Sequence, residues 1–258
     1  MAENLLEIEV LTKRFGGVVA SDAISLKIPP GELHAIIGPN GAGKTTLIGQ
    51  LTGEIAPDAG CIRFAARDIT ALPVYRRSQL GLARSFQITS LFADFTALDN
   101  VALAVQAHAG HSFRFWKNAR CEAALREPAR AALTGAGLAA RADTPVADLS
   151  HGERRQLEIA MALATGPRLL LLDEPMAGMG PEESARLVQT LRQLKGSLTV
   201  LLIEHDMDAV FALADRISVL VYGRVIATGE AAAIRADPAV REAYLGDSAG
   251  AARGAADG

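Results

Sequence analysis

The stretch "HAIIGPNGAGKTT", residues 34–46, decides the fold class of this chain. A short apolar run leads into a glycine-rich turn and then into residues that favour a helix, and the turn matches the pattern G-x-x-x-x-G-K-[ST]. In such a turn the backbone amides point at phosphates, Lys44 places its charge on the β- and γ-phosphates, and Thr45 offers a hydroxyl to Mg²⁺. The flanking strand and helix favour a nucleoside triphosphate site over a glycine-rich turn with an incidental lysine. The predicted phosphate contacts are Gly38, Asn40, Gly41, Ala42, Gly43, Lys44, Thr45 and Thr46.

A second apolar run, "RLLLLDEP" at residues 168–175, ends in two acids. Asp173 stands at the carboxyl end of the predicted strand, which is the edge where open parallel sheets bind ligands. We expect Asp173 to hold Mg²⁺, directly or through water, and Glu174 to polarise the attacking water. Alone, the pair fits a strand-end acid cluster or a helix cap equally well. Beside a phosphate-binding loop, the catalytic interpretation is favoured.

Two further polar residues are candidates for the same site. His205 ends the apolar run "LTVLLIEH", and a metal site there is excluded because Glu204, His205 and Asp206 are consecutive and cannot face one ion from a regular strand. If this strand lies beside the one that carries Asp173, the imidazole comes close to the γ-phosphate. Gln87, in "RSFQIT", has weaker support, because a loop glutamine is usually solvated.

The stretch "LSHGERRQLEIAMAL", residues 149–163, predicts a helix with an unusual first turn. Ser150 and Glu153 have the S-x-x-E spacing of a capping box. Gly152 lies inside that turn, where glycine costs roughly 0.5–1 kcal/mol relative to alanine. A turn without a side chain lets an anion approach the helix N-terminus, which attracts negative charge. We therefore predict an anion site at Ser150 and Gly152.

The composition restricts the classes of protein to which the chain can belong. Its 258 residues are half hydrophobic and carry a formal charge of −3, which argues against a nucleic-acid-binding protein. Cys61 and Cys121 lack metal-ligand spacing, which is typical of a reducing compartment. The start "MAENLLEIEV" lacks a cationic segment, so no signal peptide is predicted. The apolar runs are far below the roughly 20 residues of a membrane-spanning helix.

Strand-like and helix-like segments alternate along most of the chain, which is typical of an α/β fold. Strands are predicted at "LEIEVL", "ISLKI", "HAII", "LLLL", "LTVLLI" and "ISVLVY", and helices after Lys44, after Ser150, at residues 181–195 and at residues 206–214. An alanine-rich region at residues 96–140 lacks strands and predicts a helical insert that is broken at Pro128 and at "TGAG". The last residues, 247–258, are small and aperiodic and predict a disordered tail.

Together these residues resemble the ATP-binding subunits of ABC transporters. "LSHGE" is similar to the signature loop of that family and stands in the family's order, between the phosphate-binding loop and "LLLLDEP". The resemblance implies a P-loop NTPase (RecA-like) core with a mostly parallel sheet, an N-terminal antiparallel β part and a helical insert. It places the whole domain at residues 1–246, with the helical subdomain at about residues 90–158.

The resemblance also implies roles for single residues. Phe15 becomes the aromatic ring on which adenine stacks, although a core phenylalanine is the alternative. Gln87 becomes a catalytic residue that touches Mg²⁺ and water and senses the membrane subunit, and His205 becomes the switch histidine. Ser150 and Gly152 would contact the nucleotide of a second subunit, since two such domains close head to tail. The apolar residues near Gln87, up to Phe92, would help to form a groove for the membrane subunit.

Two departures from the family pattern stand out. Glu153 replaces a glutamine found in many relatives and is expected to cap its helix rather than meet phosphate, because an acid beside an anion would repel it. Gly180 replaces an aspartate, which puts cross-subunit contacts by that loop in doubt.

The stretches "DEPMAGMGPEE", "LLIEHDM" and "AYLGD" resemble sequences of the ATPase subunits of the bacterial branched-chain (hydrophobic) amino acid importers. Such an ATPase would lie on the cytoplasmic side of the inner membrane, with permease subunits, a second ATP-binding subunit and, indirectly, a periplasmic solute-binding protein as partners. The alternatives are a urea or amide importer, a lipid or lipopolysaccharide exporter, a soluble ABC protein of ribosomes or DNA, and a regulatory module without turnover.

Overall fold

The computed structural model of the chain describes residues 4–85, 91–109 and 123–243. The strands are β1 (Leu6–Phe15), β2 (Val18–Ile28), β3 (Leu33–Ile37), β4 (Ala59–Phe64), β5 (Arg67–Asp68), β6 (Leu82–Arg84), β7 (Leu169–Asp173), β8 (Thr199–Ile203), β9 (Arg216–Val221) and β10 (Arg224–Gly229). The helices are α1 (Lys44–Thr52), α2 (Val74–Gln79), α3 (Ala97–Ala109), α4 (Ala123–Gly135), α5 (His151–Leu163), α6 (Pro181–Leu194), α7 (Met207–Leu213) and α8 (Ala231–Ala236).

The strands form two sheets of different kinds. The smaller sheet has the order β2-β1-β4-β5 and is antiparallel throughout. The larger sheet has the order β10-β9-β3-β8-β7-β6, and its neighbours are parallel except for the edge pair of β10 and β9. The predicted fold class, a mostly parallel sheet with an N-terminal antiparallel part, is confirmed.

The centre of the larger sheet explains why its strands are almost continuously apolar. Strands β3, β7 and β8 are buried at every position. Leu169 and Leu171 face α1 and the smaller sheet, whereas Leu170 and Leu172 face α5 and α6. A strand that is covered on both faces carries mostly apolar side chains. The exception in β3 is His34, which is buried and hydrogen-bonded through its two ring nitrogens to Glu32 and Ser218. The polar residues that follow these strands are therefore brought to one edge.

The helical insert forms a second hydrophobic cluster, which is built mainly from α3, α4 and α5. The predicted break at Pro128 is wrong, because α4 continues through this residue. A proline removes one backbone hydrogen bond and crowds the preceding turn, but α4 buries an apolar face on both sides of Pro128, formed by Leu125, Ala129, Ala132 and Leu133. The helix ends at Gly135, inside the predicted "TGAG" break, and Gly137 then turns the chain with φ +73°.

The six predicted strands and the four individually predicted helices are all present, with ends shifted by a few residues. The sequence analysis missed β4, β5, β6 and β10. Three of these, β5, β6 and β10, lie at sheet edges, where strands are short or half exposed and their apolar pattern is weak. Across the described ranges, the helices are too short or too polar to span a membrane.

Candidate active site

The loop between β3 and α1 is shaped by two glycines that admit no side chain. A Cβ atom at Gly38 would collide with the carbonyl oxygen of Leu220, and one at Gly43 would collide with that of Ala20. Gly43 also caps α1 with φ +103°, in the left-handed region that favours glycine. The β1–β2 hairpin and the end of β9 therefore press against the loop, and this packing holds the loop at the carboxyl edge of the sheet.

Lys44, the first residue of α1, is almost completely buried. Its ammonium group donates to the carbonyl oxygens of Gly38, at 2.7 Å, and Pro39, at 2.9 Å. The ammonium group of Lys44 therefore lies inside the loop, between these two carbonyl oxygens and the loop's helical end. Asn40 and Thr45 are exposed at the same loop, and Thr46 is half-buried. The loop can present backbone amides, a hydroxyl and a fixed positive charge to an anion.

Asp173 lies at the same edge of the sheet as this loop. Strands β3, β8 and β7 are parallel neighbours in that order, so their carboxyl ends lie side by side. Burial raises the pKa of the Asp173 carboxyl, which the neighbouring Glu174 raises further, while Arg84 and Lys44 lower it less strongly. The guanidinium of Arg84 donates to Oδ2 of Asp173 at 3.2 Å and to Oε2 of Glu54 at 2.8 Å. Carboxylate oxygens are ligands that divalent cations prefer, so Asp173 can hold such a cation in its ionised form.

Glu174 has an unusual backbone conformation, with φ +47°, that is rare for a residue with a side chain. Its amide donates to the carbonyl oxygen of Ile203 at 2.9 Å, which holds the turn against the neighbouring strand. Its Oε1 lies 3.9 Å from Nδ1 of His205. Asp173 also pairs with Ile203 in the sheet, so the predicted neighbourhood of the two strands is confirmed. Strained residues of this kind concentrate at functional sites.

Glu204 organises the two loops at this edge, which the sequence analysis did not anticipate. It is buried, and its carboxylate accepts the amides of Met176 at 2.9 Å, His205 at 3.0 Å and Asp206 at 3.4 Å. The loop after Glu174 and the loop after β8 are thereby tied to one side chain. The signal in the sequence was an acidic residue directly after an apolar strand, a position that is close to the buried core.

Helix α5, which follows Ser150 and is called the signature helix below, begins as predicted. Ser150 and Glu153 form the reciprocal capping box, with Glu153 also paired to Arg141 at 2.7 Å. The hydroxyl of Ser150 donates to Oε1 of Glu183 at 3.0 Å, and Gly152 is buried beneath the same carboxylate. The expected role of Glu153 as a helix cap is confirmed. The contact with Glu183, which lies on α6, was not predicted.

Two of the predicted site residues have less structural support. Phe15 ends β1 and is 50% exposed, so it is not a core residue, and the ammonium of Lys13 lies 5.4 Å from its ring centroid. The hairpin that carries Phe15 packs on the phosphate-binding loop through Ala20. Gln87 lies outside the described residues.

A largely apolar groove of about 790 Å³ separates the helical insert from the edge strand β6. Its walls come from α2, β6, α3 and α5, and Glu54 and Arg84 line its end nearest to Asp173. Leu91 packs against the core of the insert and Phe92 is exposed, but neither of them lines this groove. The rest of the predicted segment, residues 87–90, lies outside the described residues.

Comparison with known sequences decides the family. The profile of the family described as "ABC transporter" matches residues 21–177, and that described as "Branched-chain amino acid ATP-binding cassette transporter" matches residues 224–250. The chain belongs to the ABC transporter family. The predicted fold and ATPase class of this ABC protein are thereby confirmed, and ATP is its nucleotide.

Several relatives of this ABC protein match it almost end to end. It is 38% identical to the high-affinity branched-chain amino acid transport ATP-binding protein BraF of Pseudomonas aeruginosa, over 96% of this chain and 100% of BraF. It is 37% identical to the lipopolysaccharide export system ATP-binding protein LptB of Acidithiobacillus ferridurans, over 95% and 98% of the two chains. Among solved structures, the ADP conformation of MJ1267, an ATP-binding cassette of an ABC transporter, has TM-score 0.83 and 31% identity, over 95% of this chain and 99% of that one.

Proposed function

We propose that this ABC ATPase drives a bacterial importer for branched-chain or related amino acids. The observation that carries the substrate class is the second profile match, at residues 224–250, to the family described as "Branched-chain amino acid ATP-binding cassette transporter". The BraF relative supports the same class. The proposed partners are permease subunits, a second ATP-binding subunit and, indirectly, a periplasmic solute-binding protein. The proposed location is the cytoplasmic face of the inner membrane.

The phosphates of ATP would lie on the loop at residues 38–46, within reach of the ammonium of Lys44. Backbone amides of Gly41, Ala42 and Gly43 would turn toward the phosphates, as glycine-rich loops at helix N-termini do. The exposed ring of Phe15 would stack on adenine, since its hairpin is fixed against the same loop.

The hydroxyl of Thr45 and the carboxylate of Asp173 are oxygen donors of the kind that Mg²⁺ prefers, and Asp173 ends β7 at the same sheet edge as the loop that follows β3. When bound, Mg²⁺ would neutralise charge on the β- and γ-phosphates. Gln87 is proposed as a further ligand.

Hydrolysis would depend on Glu174 as the base that orients water and on His205 beside it. The turn that holds Glu174 is fixed by the carbonyl oxygen of Ile203, and the loop after it by Glu204, so the backbone that carries the carboxylate is positioned before the nucleotide arrives. Such preorganisation is where enzymes of this type gain most of their rate.

Ser150 and Gly152 would serve a second subunit. They start a helix of the insert rather than the core, where their amides and hydroxyl would bind an anion that arrives across a head-to-tail dimer interface. The proposed domain spans residues 1–246, with the helical subdomain at about residues 90–158. The predicted tail at residues 247–258 lies outside the described residues. The groove of about 790 Å³ would take a cytoplasmic helix of the permease.

To test this function, the ATPase is reconstituted in proteoliposomes together with the permease subunits that are encoded beside it. Leucine-loaded solute-binding protein should stimulate ATP hydrolysis and drive leucine uptake, and the Glu174→Gln complex should support neither. A urea-loaded binding protein is the matched control. Stimulation by urea alone would identify a urea importer, and release of lipopolysaccharide from the vesicles without leucine uptake would identify the exporter class to which LptB belongs.

A further inference from the structure

The N-terminus of the signature helix α5 is already occupied by a carboxylate of the same chain. Oε1 of Glu183 accepts the hydroxyl of Ser150 at 3.0 Å. A Cβ atom on Gly152 would lie 2.5 Å from Cδ of Glu183 and 2.6 Å from its Oε1, so glycine at this position leaves room for the acid itself. The other oxygen accepts the amide of Gly180 at 3.3 Å.

Glu183 is held there as an anion. The hydrogen bond from Ser150 is the largest of the contacts that lower the pKa of the Glu183 carboxyl, and the amides of Gly180 and Gly152 act in the same direction. The group therefore stays ionised near neutral pH. Its position is the one in which a helix N-terminus stabilises negative charge, through its unpaired amides and its dipole.

A phosphate and this carboxylate cannot share the site. Both would require the hydroxyl of Ser150 and the amide of Gly152, and two anions at hydrogen-bonding distance from one donor repel each other. We propose that Glu183 is an internal occupant of the phosphate-binding end of α5, which the nucleotide of the second subunit must displace before the dimer closes. This inference rests on the proposed function of Ser150 and Gly152.

A place for the displaced side chain exists on α6. Arg186 stands three residues further along the helix, on the side that faces the same cavity of about 410 Å³ as Ser150, Gly152 and Glu183. Residues three apart on a helix are neighbours, and the charge of Arg186 already acts on the Glu183 carboxyl. Glu183 can therefore leave Ser150 by a change of rotamer and turn toward the charge of Arg186.

The experiment compares two single-charge variants in a Glu174→Gln background, which is expected to trap the ATP-bound dimer. Glu183→Gln keeps the shape and the helix-capping position but removes the charge. Glu182→Gln removes the same charge from the adjacent, exposed position of α6 and is the matched control. Dimerisation is followed by light scattering across an ATP titration, and thermal unfolding confirms that both variants are folded.

Glu183→Gln should lower the ATP concentration for half-maximal dimerisation by about threefold or more, because each closure then displaces a neutral amide instead of an anion. The difference from the Glu182→Gln protein should shrink at high salt, since the site is solvent-accessible. Equal midpoints for the two variants, or a higher midpoint for Glu183→Gln, would overturn the inference while leaving the proposed function intact. If the Glu174→Gln parent does not dimerise with ATP at all, the proposed function fails, and the inference fails with it.

Discussion

Oε1 of Glu174 lies 3.9 Å from Nδ1 of His205, although the two residues follow different strands. The distance is too long for a direct hydrogen bond and leaves the carboxylate free to turn toward a water molecule. Both side chains are partly exposed, at 37% and 64%, which is the accessibility that a nucleotide and its attacking water require.

Replacing Glu174 with glutamine should therefore lower the rate of ATP hydrolysis by about a hundredfold or more, because the group that orients water is lost. ATP binding should stay near normal, since the phosphate-binding loop is unchanged. Phosphate release and a fluorescent-nucleotide titration measure the two effects. Near-normal turnover, with Glu182→Gln as the comparison protein, would remove Glu174 from the role of base.

Lys44→Ala should weaken the binding of ATP rather than slow its hydrolysis alone. The ammonium lies inside the loop, where it donates to two loop carbonyl oxygens, and its loss removes both the charge for the phosphates and a support of the loop. We expect nucleotide affinity to fall about tenfold or more. Lys27→Ala, at an exposed position of β2, is the control. An unchanged titration for Lys44→Ala would contradict the phosphate-binding role.

Gly152→Leu should distinguish binding of the subunit's own ATP from contact with the nucleotide of the second subunit. Its own ATP affinity should change by less than about twofold, because α5 lies outside the phosphate-binding loop, whereas ATP-driven dimerisation in the Glu174→Gln background should be lost. Ala131→Leu adds the same bulk at an exposed position of α4. A clear loss of monomer ATP affinity in the Gly152 variant would show that the helix acts on the subunit's own nucleotide.

A charge in the groove should uncouple transport from hydrolysis. Val74 is 46% exposed on the groove wall, and Val74→Glu should abolish leucine uptake in proteoliposomes while the isolated subunit keeps its basal ATPase rate. Burying a carboxylate against an apolar helix is strongly unfavourable. Ile226→Glu, on the opposite edge strand β10, should leave uptake intact. Uptake by the Val74 variant would place the permease contact elsewhere, for example at Phe92.

Glu158 provides a test of buried charge in α5. Burial raises the pKa of its carboxyl, against a weaker opposing effect of Arg155. The folded protein therefore binds this proton more tightly than the unfolded chain, and its stability falls as the pH rises through the interval between the two pKa values. Glu158→Gln should gain more thermal stability, relative to the parent, at pH 8 than at pH 5. A difference that does not depend on pH would show that the carboxylate is not penalised by burial.

Much of this site could be predicted from the sequence because each part is encoded by contiguous residues. The loop at residues 38–46 requires glycines and a lysine at set spacing, and the two acids must follow an apolar strand. The capping box of Ser150 and Glu153 is likewise a local pattern. Pro128 shows the limit of local rules, because packing of α4 against the insert outweighs the hydrogen bond that the proline removes.

The tertiary structure alone decided which distant side chains meet. Arg84 reaches Asp173 from 89 positions away, and Glu183 covers the helix that begins at Ser150 from 33 positions away. The sequence around Arg84, Asp173 or Glu183 contains no local pattern that predicts these contacts, because a charged side chain can be solvated by water or can pair with many neighbours. Strand order and helix packing choose among those neighbours. The sequence by itself therefore determined the phosphate-binding loop and the nucleotide chemistry, whereas the fold decided that a carboxylate of the same chain occupies the signature helix.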